Sequence, residues 1–291
     1  MLLNKKAGFT SFDSLAGIKR SFNTGKVGHT GTLDKFASGL LLVLIGRGVK
    51  LVNLFENSAK EYIARLKFGA ETDTLDPEGT VIATGKIPSR DEIEDVLDNF
   101  RGDILQAPPA YSAIHVNGRR AHELAREGKN PEMKKRPVTV FELEILSWDT
   151  LGAEIFVRVS SGTYIRSLAR DIALAAGSRA YLSALKRTKV DIFPLEDSVE
   201  DNGDKMSLIN ALRPLDKNLF QALSLPCFFI DDKAAKGFKH GQPLEDLFAP
   251  ALCGDAKKAG VFRENEPNEL LGILEKKNEK WAYAHVFKQQ S

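Results

Sequence analysis

The sequence is poor in cysteine. Cys227 and Cys253 are only two, and they lie too far apart for a disulfide framework or a close metal-ligating pair. Such scarcity fits a reducing cytoplasm. An excess of one charge is missing too. The 41 basic and 39 acidic side chains leave a net +2, which neither demands nor excludes nucleic acid, because a local basic face can hide in a neutral total. The longest apolar run, around Leu40 to Ile45, is much too short to span a bilayer. The N-terminus lacks the apolar h-region of a signal peptide. No fixed-period repeat or low-complexity tract occurs. The five histidines (His29, His115, His122, His240, His285) make no H-x-x-x-H pair, so no metal site is expected. What is present is ordinary globular material, 43% hydrophobic and 27% charged, in a chain long enough for one large domain and a smaller one.

The pattern along the chain interleaves helices and strands. "TSFDSLAGIKRSF" predicts a helix with a Thr10–Asp13 capping box and Leu15, Ile18 and Phe22 on one face. "GLLLVLIG" predicts a buried strand, "VKLVNLFEN" a short amphipathic helix, and "EYIARLKFG" a half-buried strand alternating through Tyr62, Ala64, Leu66 and Phe68. "DPEGT" is a turn before the strand "VIAT". "SRDEIEDVLDNF" predicts a helix with a Ser89–Glu92 capping box and Ile93, Val96, Leu97 and Phe100 on one face. Asn117-Gly118 marks a hairpin. "PVTVFELEIL" and "AEIFVRVS" predict strands, and "SGTYIRSLARDIALAAG" a helix ending near Gly177. The rhythm is not that of a doubly wound sheet, so an α+β fold with a mixed or antiparallel sheet is expected. From about Leu223 the texture becomes short strand-like runs, "ELLGIL" and "WAYAHVF", around the charged turn "EKKNEK". This predicts a catalytic domain over 1–222 and a small β-rich domain over 223–291.

The chemically suggestive stretch is "KVGHTGTLDKFASG", residues 26–39. It is not a Walker A loop: the Gly-Lys pairs at 25–26, 85–86 and 128–129 are followed by Val, Ile and Asn. Nor is there a dinucleotide fingerprint, since Leu51 stands where the third glycine after Gly46 and Gly48 belongs. A loop presenting one carboxylate, Asp34, remains. That carboxylate could act as nucleophile or base. On residue chemistry alone, a turn or cap role for Asp34 is favoured.

Read with its neighbours, "GHTGTLDKFASGLLLVLIG" resembles the catalytic motif of the TruB family of tRNA pseudouridine synthases. So, in order, do "LLNKKAGFTSFDSL", "KEYIARLKFGAETDTLDPEG", "QAPPAYSAIHVNGRRAHELAREG", "RPVTVFEL" and "SSGTYIRSLARDIA", over roughly residues 1–190. The resemblance implies a bent, largely antiparallel sheet with flanking helices, and a small PUA-like C-terminal domain. It also implies isomerisation of uridine 55 in the T loop of tRNA, without cofactor or metal, by a monomer that binds the T-arm and no membrane. Asp34 matches the family's catalytic aspartate, attacking ribose C1′ or uracil C6, with elimination to a glycal as another route. Tyr62 matches a tyrosine that stacks on the target base. Arg166 matches the partner of the aspartate, and Tyr164 a residue of the base pocket. His29 matches the histidine that occupies the flipped nucleotide's place, Lys50 a lysine near the site, and Leu185 a pocket-lining leucine. Lys35 departs from the family, which has proline after the aspartate. Lys19, Arg20, Lys26, Arg119, Arg120, Arg126, Lys134, Lys135 and Arg136 are expected to face phosphate. Two alternatives stay open: the same chemistry on another RNA, and a non-catalytic RNA-binding or RNA-folding protein.

Overall fold

The apolar run after the glycine loop is buried on both faces. Leu40, Leu42 and Leu44 enter one core, Leu41 and Val43 another. Its hydrophobicity therefore shows no alternation. The structure is a computed structural model that describes residues 1–55, 57–129, 131–248 and 255–287. Cys253 lies outside the described residues, and Cys227 is a free, half-buried thiol.

The chain begins with β1 (Leu2–Lys5), α1 (Ala16–Ser21), β2 (Val27–His29), β3 (Ser38–Ile45) and β4 (Lys60–Phe68). Then come the small pair β5 (Ala70–Thr72) and β6 (Val81–Thr84), α2 (Arg90–Leu97) and β7 (Gly102–Gln106). The hairpin β8 (His115–Val116) and β9 (Arg119–Arg120) leads into α3 (Ala121–Arg126), β10 (Arg136–Asp149), β11 (Gly152–Val159), α4 (Ile165–Ala175), β12 (Ala180–Val190) and β13 (Phe193–Pro194). The remainder is α5 (Lys205–Asn210), α6 (Lys217–Ala222), β14 (Cys227–Ile230), α7 (Asp232–Lys239), β15 (Lys258–Arg263), β16 (Leu270–Lys277) and β17 (Lys280–Val286).

The main sheet runs β1-β3-β12-β4-β11-β10-β7, with β13 added to β12 and β2 to β3. Among the described residues of this sheet, only β12 and β3 pair in parallel. This is the expected α+β architecture with a mixed, largely antiparallel sheet. Strand β4 is central, and it alternates as its sequence predicts. Tyr62, Ala64, Leu66 and Phe68 are buried in the same core as Ile93 and Leu97 of α2 and Leu168 and Ile172 of α4. Each such leucine, isoleucine or phenylalanine contributes about 1.5–3 kcal/mol by leaving water. A second sheet, β14-β15-β16-β17, carries the tail. Phe220 of α6 packs edge-on against Phe262 of β15, with ring centroids 5.3 Å apart. Among the described residues no helix is long and apolar enough to cross a membrane.

Local chemistry explains most element ends. The α2 capping box is present: Ser89 Oγ accepts the Glu92 N–H at 3.2 Å, and the Glu92 carboxylate accepts the Ser89 N–H at 2.8 Å. The Asn117-Gly118 hairpin turn has both residues at positive φ, as a type I′ turn requires, and so does the Asn278-Glu279 turn of "EKKNEK" in its first two central positions. Thr10 and Asp13 do pair reciprocally. However, the helix that follows is shorter than predicted, starting as a 3₁₀ turn at Asp13–Leu15. Residues 46–54 are also 3₁₀ rather than α-helical. Gly46 at φ +61°, with Gly48, Val49 and Val52, gives that stretch poor helix propensity. Strand β12 was not evident in the pattern. A register shift between Leu182 and Ala184 turns its buried spacing from two to three residues and disguises it. In the tail, α7 was likewise unforeseen, so its layer is helix on sheet rather than strands alone.

Candidate active site

Loop 30–37 hangs between β2 and β3, and donors from three other segments hold it. Ser11 Oγ accepts the Leu33 N–H at 2.8 Å and donates to the Leu33 carbonyl at 3.0 Å. The Gly8 N–H binds the Lys35 carbonyl at 2.8 Å. Arg187 on β12, 2% exposed, donates from Nε to the Leu40 carbonyl (2.7 Å) and from Nη2 to the Gly31 carbonyl (3.1 Å). These donors fix the loop. Lys35 reaches across to Glu78 at 3.4 Å.

Lys5, 1% exposed at the end of β1, sends its ammonium to the carbonyls of Ala37 and Phe9 (both 2.6 Å), Lys6 (3.0 Å) and Lys35 (3.4 Å). Burial lowers its pKa from 10.5 to about 8, Arg187 adding to the drop while Asp34 and Glu78 oppose it. The unfolded chain therefore holds this proton more tightly than the folded one, and stability from this group rises between the two values. We expect urea denaturation to find Lys5→Met less stable by about 3 kcal/mol near neutrality. The gap to wild type should widen between about pH 8 and 10, where the native lysine loses its charge first. A gap that narrows there would contradict this assignment.

Gly39 closes the loop. Its φ is +105°, and a Cβ there would lie 2.3 Å from the Arg187 carbonyl oxygen, its parallel partner on β12. Backbone cannot yield as a flexible side chain can. Gly39→Ala should cost about 3 kcal/mol or more, read as a shift in denaturant midpoint.

Asp34 points from this loop toward the start of α4. Arg166 Nε lies 2.9 Å from Asp34 Oδ2 as an ion pair, outside hydrogen-bond angles, while Nη2 donates to Oδ1 at 3.1 Å. Arg166 also donates to the carbonyls of Thr74 (2.7 Å) and Tyr111 (3.1 Å) and lies 3.5 Å from Asp76. The guanidinium is thus held on every edge and is 4% exposed. A cation at a helix start is mildly unfavourable, and here two carboxylates offset it. Burial raises the Asp76 carboxyl above its usual range, against the Thr74 hydroxyl, the Arg166 charge and the Glu78 N–H.

The α4 start is fixed from the other side by Gln106, 2% exposed on β7. Its Oε1 accepts the Tyr164 N–H at 2.8 Å and its Nε2 donates to the Tyr164 carbonyl at 3.1 Å. This amide accepts the N-cap N–H, the part that an N3 Glu or Gln plays in a capping box, while Tyr164 itself supplies no side-chain cap. Burial raises the Tyr164 phenol, so its ring presents a neutral hydroxyl.

Asp34, Tyr62, Tyr164, Arg166 and Leu185 all line one cleft of about 910 Å³. The predicted residues His29 and Lys50 do not line it. His29 is half-buried on β2, its pKa lowered by burial and by Arg187, and Lys50 is exposed in the 3₁₀ segment. Of the basic residues expected to face phosphate, Arg126 lines the cleft. Lys26, Arg120, Lys134, Lys135 and Arg136 are exposed, Arg119 is tied to Glu127, and Lys19 sits over the Phe12 ring. Sequence reasoning missed Lys5, Asp76, Gln106 and Arg187. Each acts through groups distant in sequence, so no local spacing marks it. Among the described residues no cluster of three or more His, Cys, Asp or Glu could hold a metal ion.

Comparison with known proteins identifies the family of the chain. Residues 19–165 match the model of the TruB family pseudouridylate synthase N-terminal domain. The tRNA pseudouridine synthase B of Borreliella afzelii is 50% identical over 214 residues, 72% of this chain and 76% of that protein. That of Francisella philomiragia is 43% identical over 280 residues, 94% and 90% of the two chains. A chain in the crystal structure of a Cbf5-Nop10-Gar1 complex superposes with a TM-score of 0.69 at 26% identity, covering 98% of this chain and 83% of that one. Fold and cleft together define an isomerase of the pseudouridine synthase class. Within that class, the chain belongs to the TruB family.

Proposed function

We propose that this protein converts the T-loop uridine of tRNA, position 55 in tRNA numbering, to pseudouridine, with Asp34 as the reacting carboxylate. The observation that carries the reading is the Asp34–Arg166 pair in a cleft shared with Tyr62 and Tyr164. The name of its relatives, tRNA pseudouridine synthase B, supports tRNA as the substrate.

The reaction is an isomerisation. The C1′–N1 bond breaks, the uracil turns, a C1′–C5 bond forms, and the proton from C5 is replaced by one on N1. Asp34 supplies the carboxylate that attacks the ribose or the uracil and later leaves. Arg166 holds it aimed through a charge-assisted hydrogen bond. Tyr62 offers its ring for stacking, an interaction of about 1–3 kcal/mol per base. Tyr164 and Leu185 bound the base pocket, and His29 and Lys50 serve the surrounding RNA. The T-loop base must leave its stack to reach Asp34, at about a few kcal/mol, which binding of the T-arm offsets.

The rest of the proposal is a monomer acting in the cytoplasm. Residues 1–222 form its catalytic domain and 223–291 a small PUA-like RNA-binding domain. Incubation with an unmodified tRNA transcript, followed by pseudouridine mapping, tests the function. Product at position 55 from the bare transcript supports it. Product from another RNA but not from the tRNA transcript would favour the same chemistry on another RNA, and RNA binding without product the non-catalytic reading.

A further inference from the structure

Charge pairing in the cleft is incomplete. Its lining includes the carboxylates Asp34, Asp76 and Glu78 and the cations Lys35, Lys60, Arg126, Arg166 and Arg187. Arg166 serves the two aspartates, and Lys35 serves Glu78. Arg126 is exposed to solvent. Two cations remain on the wall itself, Lys60 of β4 and Arg187 of β12, and neither makes an ion pair among the described residues.

The placement of the two is specific. Lys60 lies two residues before Tyr62, hence on the same face of β4. Arg187 is the register partner of Tyr62 on β12. Both residues are therefore neighbours of the tyrosine, Lys60 along its own strand and Arg187 on the strand beside it. Lys60 donates to the Ser58 carbonyl at 2.6 Å. The nearby carboxylate, Asp191, is engaged by the Ser58 hydroxyl at 3.0 Å. Arg187 uses Nε and Nη2 on neutral carbonyls, and its Nη1 has no hydrogen-bond acceptor among the described residues. Burial and the Arg187 charge bring the Lys60 ammonium down to about 8, only weakly countered by Asp191. Keeping a half-buried Lys60 and a buried Arg187 together as like charges is costly unless an anion arrives between them.

We propose that Lys60 and Arg187 form a binding site for a single backbone phosphate of the RNA, one that flanks the nucleotide turned into the cleft. The inference rests on the RNA-modifying reading above and deepens it. The stacked base is recognised by Tyr62, and the phosphodiester beside it is seized by the two neighbouring cations. Phosphate contacts of this kind fix the register of a nucleic acid rather than its sequence. The subsite would thus hold the extruded nucleotide in place once the loop has opened.

Lys60→Gln is the informative variant, because Arg187 also holds the catalytic loop. Dissociation constants of a T-arm stem-loop are measured by filter binding over a salt series, with the melting temperature of each protein as a control for folding. Lys60→Gln should weaken binding ~10–100-fold. The slope of log Kd against log salt should fall by ~0.7, one single-strand phosphate contact. Lys60→Arg should restore both. In wild type, one methylphosphonate flanking the target uridine should reproduce the loss, and in Lys60→Gln the same substitution should add nothing further. Inorganic phosphate should not compete at concentrations that leave total ionic strength unchanged. An unaltered salt slope, additive losses with every methylphosphonate, or full competition by inorganic phosphate would overturn the proposal. If wild type binds the stem-loop as described yet forms no pseudouridine, the functional reading fails while the phosphate site stands.

Discussion

Asp34→Asn is expected to abolish pseudouridine formation, lowering kcat by about 10⁴-fold or more, while the protein stays folded and still binds tRNA. The carboxamide keeps the shape of the side chain but not its nucleophilic charge, and losses of this order follow removal of a nucleophile. Structure argues that the fold survives. Asp34 is 37% exposed, its loop is held by Ser11, Lys5 and Arg187, and Arg166 keeps Asp76 and two carbonyls as partners. An amide oxygen in the Oδ1 position can still accept from Nη2. RNA affinity should be equal to or tighter than wild type, because a negative charge leaves a cleft that receives a polyanion. Single-turnover assays with Asp34→Asn and Asp34→Ala in parallel decide this. Turnover by either within about tenfold of wild type would remove Asp34 from the chemistry, since that is under 1.4 kcal/mol of barrier.

The parts of this molecule that could be foreseen are those whose signal is local or carried in ordered motifs. The alternation of β4 and the capping box of α2 are set by neighbours in sequence, and both appear as predicted. The meeting of Asp34 with Arg166, 132 residues apart, was foreseeable only through the family resemblance. On its own chemistry Asp34 looked like a turn residue. What escaped depends on tertiary partners. Lys5 reads as a surface lysine until the carbonyls of Lys35 and Ala37 from loop 30–37, with those of Lys6 and Phe9, surround it. Gln106 reads as a strand end until α4 begins against it. Strand β12 hides because its bulge imposes a three-residue spacing that resembles a helix. The restraint on the loop carrying Asp34 was equally hidden, because Ser11, Lys5 and Arg187 hold it from outside.

Replacement of Arg166 should damage both activity and stability, and the two losses can be separated. Arg166→Met leaves Asp34 and Asp76 facing one another without a cation, one of them 6% exposed. Breaking a buried pair from one side costs about 3–5 kcal/mol at neutral pH. Asp76, already raised by burial, loses one of the groups holding it down, so its folded pKa rises further above the unfolded value. A raised carboxyl binds its proton more tightly in the native state. Its contribution is therefore most favourable at low pH and is lost as pH rises through the folded pKa. Denaturation midpoints should accordingly show Arg166→Met closer to wild type at about pH 5 than at about pH 8. Catalysis should not recover on acidification, because the aspartate that acts must be ionised and aimed; a loss of about 10²–10³-fold in kcat is expected at every pH where the variant is folded. Arg166→Lys tests aim against charge. A lysine keeps the cation but has one nitrogen where arginine has three, and it cannot reach Asp34, the Thr74 carbonyl and the Tyr111 carbonyl together. It should recover part of the stability and little of the rate. Full recovery of rate by lysine would mean that charge alone suffices, and that the fixed geometry around Asp34 is not what the arginine supplies.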